Sequence, residues 1–126
     1  MSSAIEHAVI SYAAAWGERD PARRAKLLAE AIGDEFRLVF ALGKREIHGR
    51  AGLEAEIVEF HRRVPIARVR VASRIDVQGN VCRFVGVADG ADGQLGPESF
   101  DVCECDATGR IRLLFTFTGS APVRES

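Results

Sequence analysis

Ile5, Val9, Tyr12, Ala13 and Trp16 recur three and four residues apart, the spacing of one helical face, and predict a first helix over about residues 3–17. Asp20 followed by Pro21 reads as a second helix start, with Asp as the N-cap and Pro in the first turn. Leu27, Leu28, Ala31 and Ile32 supply its apolar stripe, and Gly33 is the expected stop. The pattern then changes to a short strand over 36–42, a turn at Gly43-Lys44 and a brief return strand, Glu46 to His48, ended by Gly49. A third helix runs from Arg50 to about Val64, with Leu53, Ile57, Phe60 and Val64 on one face and Pro65 closing it. The rest reads as a meander. Residues 67–77 alternate, with Val69, Val71 and Ile75 set against Arg68, Arg70 and Arg74. Gly79-Asn80 makes a hairpin turn into a strand over 81–89, and a glycine-rich loop over 89–96 leads to a strand over 99–105. A tight turn at 106–109 precedes the last strand, Ile111 to Gly119. The order ααββαββββ predicts an α+β domain, an antiparallel sheet with the helices on one face.

Composition narrows the function classes. The chain has 126 residues, one domain's worth over 1–126, enough to bury about two thirds of the unfolded surface. A net charge of −1 provides no global attraction for nucleic acid or an anionic membrane. Arg68 and Arg70 alternate as a solvated sheet face does, and the aromatic content of 7% offers few stacking platforms, so no nucleic-acid partner is expected. No stretch approaches the roughly 20 apolar residues of a membrane span. The N-terminal segment lacks a basic start and carries Glu6 and His7, which argues against a secretory signal and makes a cytoplasmic location the default. Cys82, Cys103 and Cys105 are an odd number with no metal-ligand spacing, and read as reduced, partly buried apolar groups. No metal or cofactor is expected.

The segment from Tyr12 to Asp20, Tyr-Ala-Ala-Ala-Trp-Gly-Glu-Arg-Asp, resembles the opening helix of SnoaL-like proteins, relatives of ketosteroid isomerases, polyketide cyclases and nuclear transport factor 2. Ile47-His48-Gly49-Arg50, followed by Leu53 and Phe60, is similar to that family's G-R-x-x-L entry to its third helix. Asp106 to Ile111 matches its D-x-x-G-[RK]-I hairpin. The resemblance covers about residues 8–119. It implies a curved antiparallel sheet wrapped around the helices into a cone, the cystatin-like α+β roll, enclosing an apolar pocket and dimeric through the sheet's outer face.

The resemblance also implies a site. Tyr12 stands where the isomerases keep a hydrogen-bond-donating tyrosine, and Asp101, eight residues before Gly109, stands where they keep a donating carboxylic acid. Their proton-moving aspartate has no counterpart, because Phe40-Ala41 replaces Asp-Pro at the end of the first strand. Phenylalanine accepts no proton. His48, at a strand end, and His61, after Phe60, are the replacements the sequence offers. Trp16, Phe40, Phe60, Phe84, Cys103, Leu114, Thr116 and Thr118 are expected to line the pocket around Tyr12 and Asp101. The bland alternatives are a core tyrosine and a strand aspartate paired with a neighbouring arginine. In the last strand, Arg112, Leu114, Thr116 and Thr118 are expected toward the pocket, and Ile111, Leu113, Phe115 and Phe117 on the convex face. A homodimer would remove that apolar face from water. Two function classes follow: a small-molecule enzyme of the isomerase, cyclase or dehydratase type acting on an apolar carbonyl or phenolic compound, or a non-catalytic ligand-binding or dimerisation domain.

Overall fold

The computed structural model describes residues 2–40, 45–119 and 124. Helix α1 (Ser2–Gly17) buries Ile5, Ala8, Val9 and Tyr12 on the predicted face. Helix α2 (Pro21–Ala31) starts as expected: the Asp20 carboxylate accepts the main-chain N–H of Arg23 at 2.8 Å. Arg24, although charged, is buried, and its guanidinium donates to Glu54 on the third helix at 2.7–2.9 Å and to the Glu18 carbonyl at 2.8 Å. This ion pair fastens the two helices together.

Gly33 does not stop α2. Ile32 caps the helix in an extended conformation, and the chain passes directly into β1 (Ile32–Phe40). Inside that strand Gly33 instead leaves room for the Asp106 carboxylate, one oxygen of which would lie 2.9 Å from a Cβ there. Strand β2 (Arg45–His48) pairs antiparallel with β1, and α3 (Gly49–Arg63) follows. The expected Gly43-Lys44 turn, with Ala41 and Leu42, lies outside the described residues.

The single strand expected over 67–77 is two, β3 (Arg68–Val71) and β4 (Asp76–Gln78). Both pair with β5 (Val81–Gly90), but the residues between them bulge out of the ladder. There the Ser73 hydroxyl accepts the Val85 N–H at 2.8 Å, in place of a main-chain carbonyl. The glycine-rich loop contains a short β6 (Gly93–Gln94), also paired with β5. Strands β7 (Ser99–Cys105) and β8 (Ile111–Thr118) complete the chain's sheet.

The order is therefore ααββαββββββ, and the sheet is mixed, not antiparallel throughout. Its strands run β2-β1-β8-β7-β5-β3, and β8 lies parallel to β1, with Leu38 beside Leu114 and Phe40 beside Thr116. Parallel neighbours require a crossover, which α3 and the meander supply. No run of residues in the sequence announces that pairing. The fold remains α+β: among the described residues, three helices on an open eight-stranded sheet.

A bulge between β7 and β8 changes the facing of the last strand at its start. Ile111 is fully buried in the core and Arg112 points to solvent beside Glu104, the reverse of the expected alternation at these two positions. Beyond the bulge the alternation resumes: Leu114 is buried, whereas Phe115 and Phe117 are exposed at 39% and 48%. None of the described helices is long and apolar enough to cross a membrane.

Candidate functional site

The core fills the space between helices and sheet at one end and leaves it hollow at the other. Ile5, Val9, Leu28, Phe36, Leu53, Ile57, Ile111 and Leu114 pack the closed end. The hollow is a cavity of about 180 Å³ bounded by α1, the end of β1, α3, β3, β5, β7 and β8. A larger groove of about 660 Å³ between α1 and β3–β4 is shallow and open to solvent.

Tyr12 and Asp101 both line the cavity. Tyr12 comes from the buried face of α1 and stacks edge-on with Trp16 (6.4 Å between centroids), which is edge-on to Phe60 (5.5 Å). These rings form an aromatic wall, with Phe40 and Phe84 also in the lining. Asp101 sits in the middle of β7 with Phe84 and Thr116 as its cross-strand neighbours. It is 6% exposed, and its Oδ1 is buried with no hydrogen-bond partner among the described residues. The Ser99 hydroxyl stands near Oδ2, at 3.5 Å, and the Thr116 hydroxyl also lies beside the carboxyl. The expected alternative of an arginine partner is thus not what the structure holds.

Burial sets the protonation chemistry. Desolvation pushes the Asp101 carboxyl up to about 6, with the hydroxyls of Thr116 and Ser99 pulling the other way. The Tyr12 phenol is raised well above its usual value, first by burial and then by the negative charge of Asp101. Tyr12 is therefore a hydrogen-bond donor at any physiological pH. Asp101 changes from donor to acceptor as pH rises through about 6.

Gly86 on β5 makes the room in front of these groups. It faces Ser99, and a Cβ there would lie 2.8 Å from Ser99 Oγ and 3.6 Å from Asp101 Oδ2. Sequence reasoning did not identify Gly86, Ser99, Leu38, Val69 or Pro97 as lining residues, nor Arg70, which it had put on a solvated face. Ser99 was legible as sharing a strand face with Asp101, but the Gly86 position depends on cross-strand register.

Trp16, Phe40, Phe60, Phe84 and Thr116 line the cavity as expected. Cys103, Leu114 and Thr118 do not. Cys103 and Leu114 face inward, but beneath the helices at the filled end, where they belong to the core. Thr118 lies past the mouth and is exposed. Neither histidine reaches the cavity. His48 is exposed on β2, and His61 has its Nε2 bonded to the Trp16 carbonyl at 2.7 Å, tying α3 to the end of α1. Among the described lining residues Asp101 is the one carboxylate, and Phe40 lines the same cavity.

The cysteines are free and buried, and Cys82 sits directly across from Cys103. Contact with Cys103 and burial push the Cys82 thiol up to about 12, so it stays protonated and unreactive. Among the described residues no group of three metal-binding side chains is placed to hold an ion.

No family model matches the chain, and no curated protein matches it. Solved structures do. A SnoaL-like family protein from Agrobacterium tumefaciens str. C58, an isomerase candidate, superposes with a TM-score of 0.81 at 28% identity, over 94% of this chain and 99% of that one. A protein of unknown function with a cystatin-like fold from Methylobium petroleophilum PM1 has a TM-score of 0.78 at 16% identity, over 98% and 80% of the two chains. A polyketide cyclase candidate from Bacillus cereus ATCC 10987 has a TM-score of 0.72 at 17% identity, over 91% and 74%. The latter two share the fold alone. Near end-to-end superposition on a SnoaL-like protein, with the three-helix and mixed-sheet topology described above, places this chain in the SnoaL-like, nuclear transport factor 2-like superfamily.

Proposed function

We propose that the cavity binds a compact apolar molecule through one carbonyl or phenolic oxygen, held jointly by Tyr12 and Asp101. The observation that carries this reading is the unpartnered, buried Oδ1 of Asp101 in a cavity walled mainly by rings and aliphatic groups, with the Ser99 and Thr116 hydroxyls and Arg70, which pairs with Asp89, completing the lining. A buried polar atom left unpaired costs about 1–3 kcal/mol, a cost that a ligand group of the right polarity would recover. A phenol suits the pair at neutral pH: its hydroxyl donates to the Asp101 carboxylate while its oxygen accepts from Tyr12. A ketone accepts from Tyr12 and, where Asp101 is protonated, from Asp101 as well.

The test is a fluorescence titration with phenol and cyclohex-2-enone, following Trp16, the single tryptophan, which lines the cavity. Saturable quenching that weakens about tenfold or more in Asp101→Asn and in Tyr12→Phe supports the site. Enone affinity rises as pH falls through about 6, and phenol affinity does not. Flat titrations in the wild type remove the reading.

A second reading, catalysis of the isomerase, cyclase or dehydratase type, is favoured by the same carboxyl. Its value near 6 suits a group that both takes and returns a proton, and no separate base lines the described cavity. Incubation of cyclohex-2-enone with the protein in heavy water separates binding from catalysis. Deuterium uptake at the ketone's acidic carbons, abolished in Asp101→Asn, is the catalytic outcome; binding without uptake leaves a ligand-binding domain. The convex face of β7 and β8 is proposed as a homodimer interface, because Phe100, Phe115 and Phe117 stand together in solvent on paired strands.

A further inference from the structure

We infer that the ligand is a single-ring compound, and that Phe40, clamped in place by Arg45 and Glu56, sets that limit. The inference rests on the ligand reading above and adds its size and the residues that determine it. A cavity of about 180 Å³ is modest. An apolar protein cavity of about 150 Å³ accepts benzene, whereas pockets for drug-sized ligands begin at about 300 Å³. That volume matches one ring with a small substituent and is small for a fused second ring.

One wall of the cavity is held from outside. Phe40, the last residue of β1, lines the hollow, and the Arg45 guanidinium lies over its ring, 4.5 Å from the centroid. Phe40 and Arg45 are direct partners in the β1–β2 ladder. Arg45 is fixed in turn: two of its nitrogens donate to the two oxygens of Glu56 at 2.9 Å each, a bidentate fork. Glu56 is largely buried, its side chain 13% exposed, and lies one helical turn before Phe60, another cavity residue. Three elements thus converge on one ring, with the cavity before it and a fixed cation over it. Phe40 gains cation–π attraction from this arrangement and loses the freedom to swing aside. Without the clamp, the ring would retain its rotamers and the cavity could lengthen toward β2.

The experiment compares affinities for 4-methylphenol and 2-naphthol, one ring against two, in the wild type and in Arg45→Met, Glu56→Gln and Phe40→Ala. Arg45 and Glu56 do not line the cavity, so their replacement leaves Tyr12 and Asp101 in place, and Arg45→Met leaves the Glu56 charge that acts on Tyr12 as well. The wild type is expected to favour 4-methylphenol by about tenfold or more, the scale of penalty that overpacking a rigid site imposes. Arg45→Met and Glu56→Gln are each expected to narrow that ratio severalfold by tightening 2-naphthol, and Phe40→Ala to abolish it. Equal binding of both phenols by the wild type overturns the size limit. A ratio unchanged in both clamp variants, with 4-methylphenol still bound, overturns the role of Arg45 and Glu56. If no phenol of either size binds the wild type, the ligand reading itself falls, and the size limit with it.

Discussion

Asp101 shows how one buried carboxyl links stability to recognition. Its folded value near 6 lies above the ordinary 3.8 because burial disfavours the charged form. The folded protein consequently holds this proton more tightly than the unfolded chain does. The contribution to stability is full below 3.8, declines as pH rises through about 6, and is absent above. The gap corresponds to on the order of 3 kcal/mol. In urea denaturation, Asp101→Asn is expected to gain on the wild type as pH rises from about 4 to about 7, because the amide carries no charge to desolvate. A stability difference that does not change across that range would show that Asp101 is solvated. The sequence revealed which residue occupies this position by its spacing from Gly109. The absence of a partner for Oδ1 was not visible there, since it depends on what β5 and β8 bring alongside.

Among the elements, the helices were the most legible, because each carries its own start signal and periodic face. Asp20-Pro21 began α2 as predicted, and Pro65 follows the end of α3. The fastening between them was not legible: Arg24 and Glu54 are thirty positions apart, and nothing local marks Arg24 as buried. Glu54→Gln is expected to destabilise the fold by about 2–3 kcal/mol, since it leaves the buried guanidinium without its counter-charge. Denaturant melts of Glu54→Gln and of an exposed control, Glu59→Gln, check this; equal effects would make the pair merely superficial. The strands were less legible than the helices at two points. Ser73 interrupts the run over 67–77, and the bulge beside Cys105 inverts Ile111 and Arg112. Each of these is a cross-strand arrangement that a single strand's alternation cannot encode.

At the scale of the whole molecule, the sheet separates two tasks. Its inner face holds the core and the cavity, and its outer face presents Phe100, Phe115 and Phe117, 39–48% exposed, with Val102 among them. Salt-bridged charges surround this apolar patch, including Arg83 with Asp76 and Arg112 with Glu104. A twofold dimer would cover the rings and leave those charges at its rim. The double variant Phe115→Glu, Phe117→Glu is expected to run as a monomer by light scattering while the wild type runs as a dimer. Because both side chains lie on the far face from the cavity, Trp16 titrations should survive in the variant. A monomeric wild type would withdraw the interface.

The sequence by itself determined the helices, most strand segments, the superfamily and the aromatic lining around Tyr12 and Asp101. Those features depend on periodicity, caps and short spacings, which are local and written in order along the chain. Tertiary structure alone decided that β8 runs parallel to β1, that Gly86 clears the space before Asp101, and that His48 and His61 stay outside the cavity. It also decided which inward-facing residues meet the hollow: Thr116 does, while Leu114, two positions earlier on the same face, is sealed in the core. The reason is physical. Alternation tells which side of a sheet a residue faces, but whether that side is filled or empty depends on where helices from distant sequence come to rest.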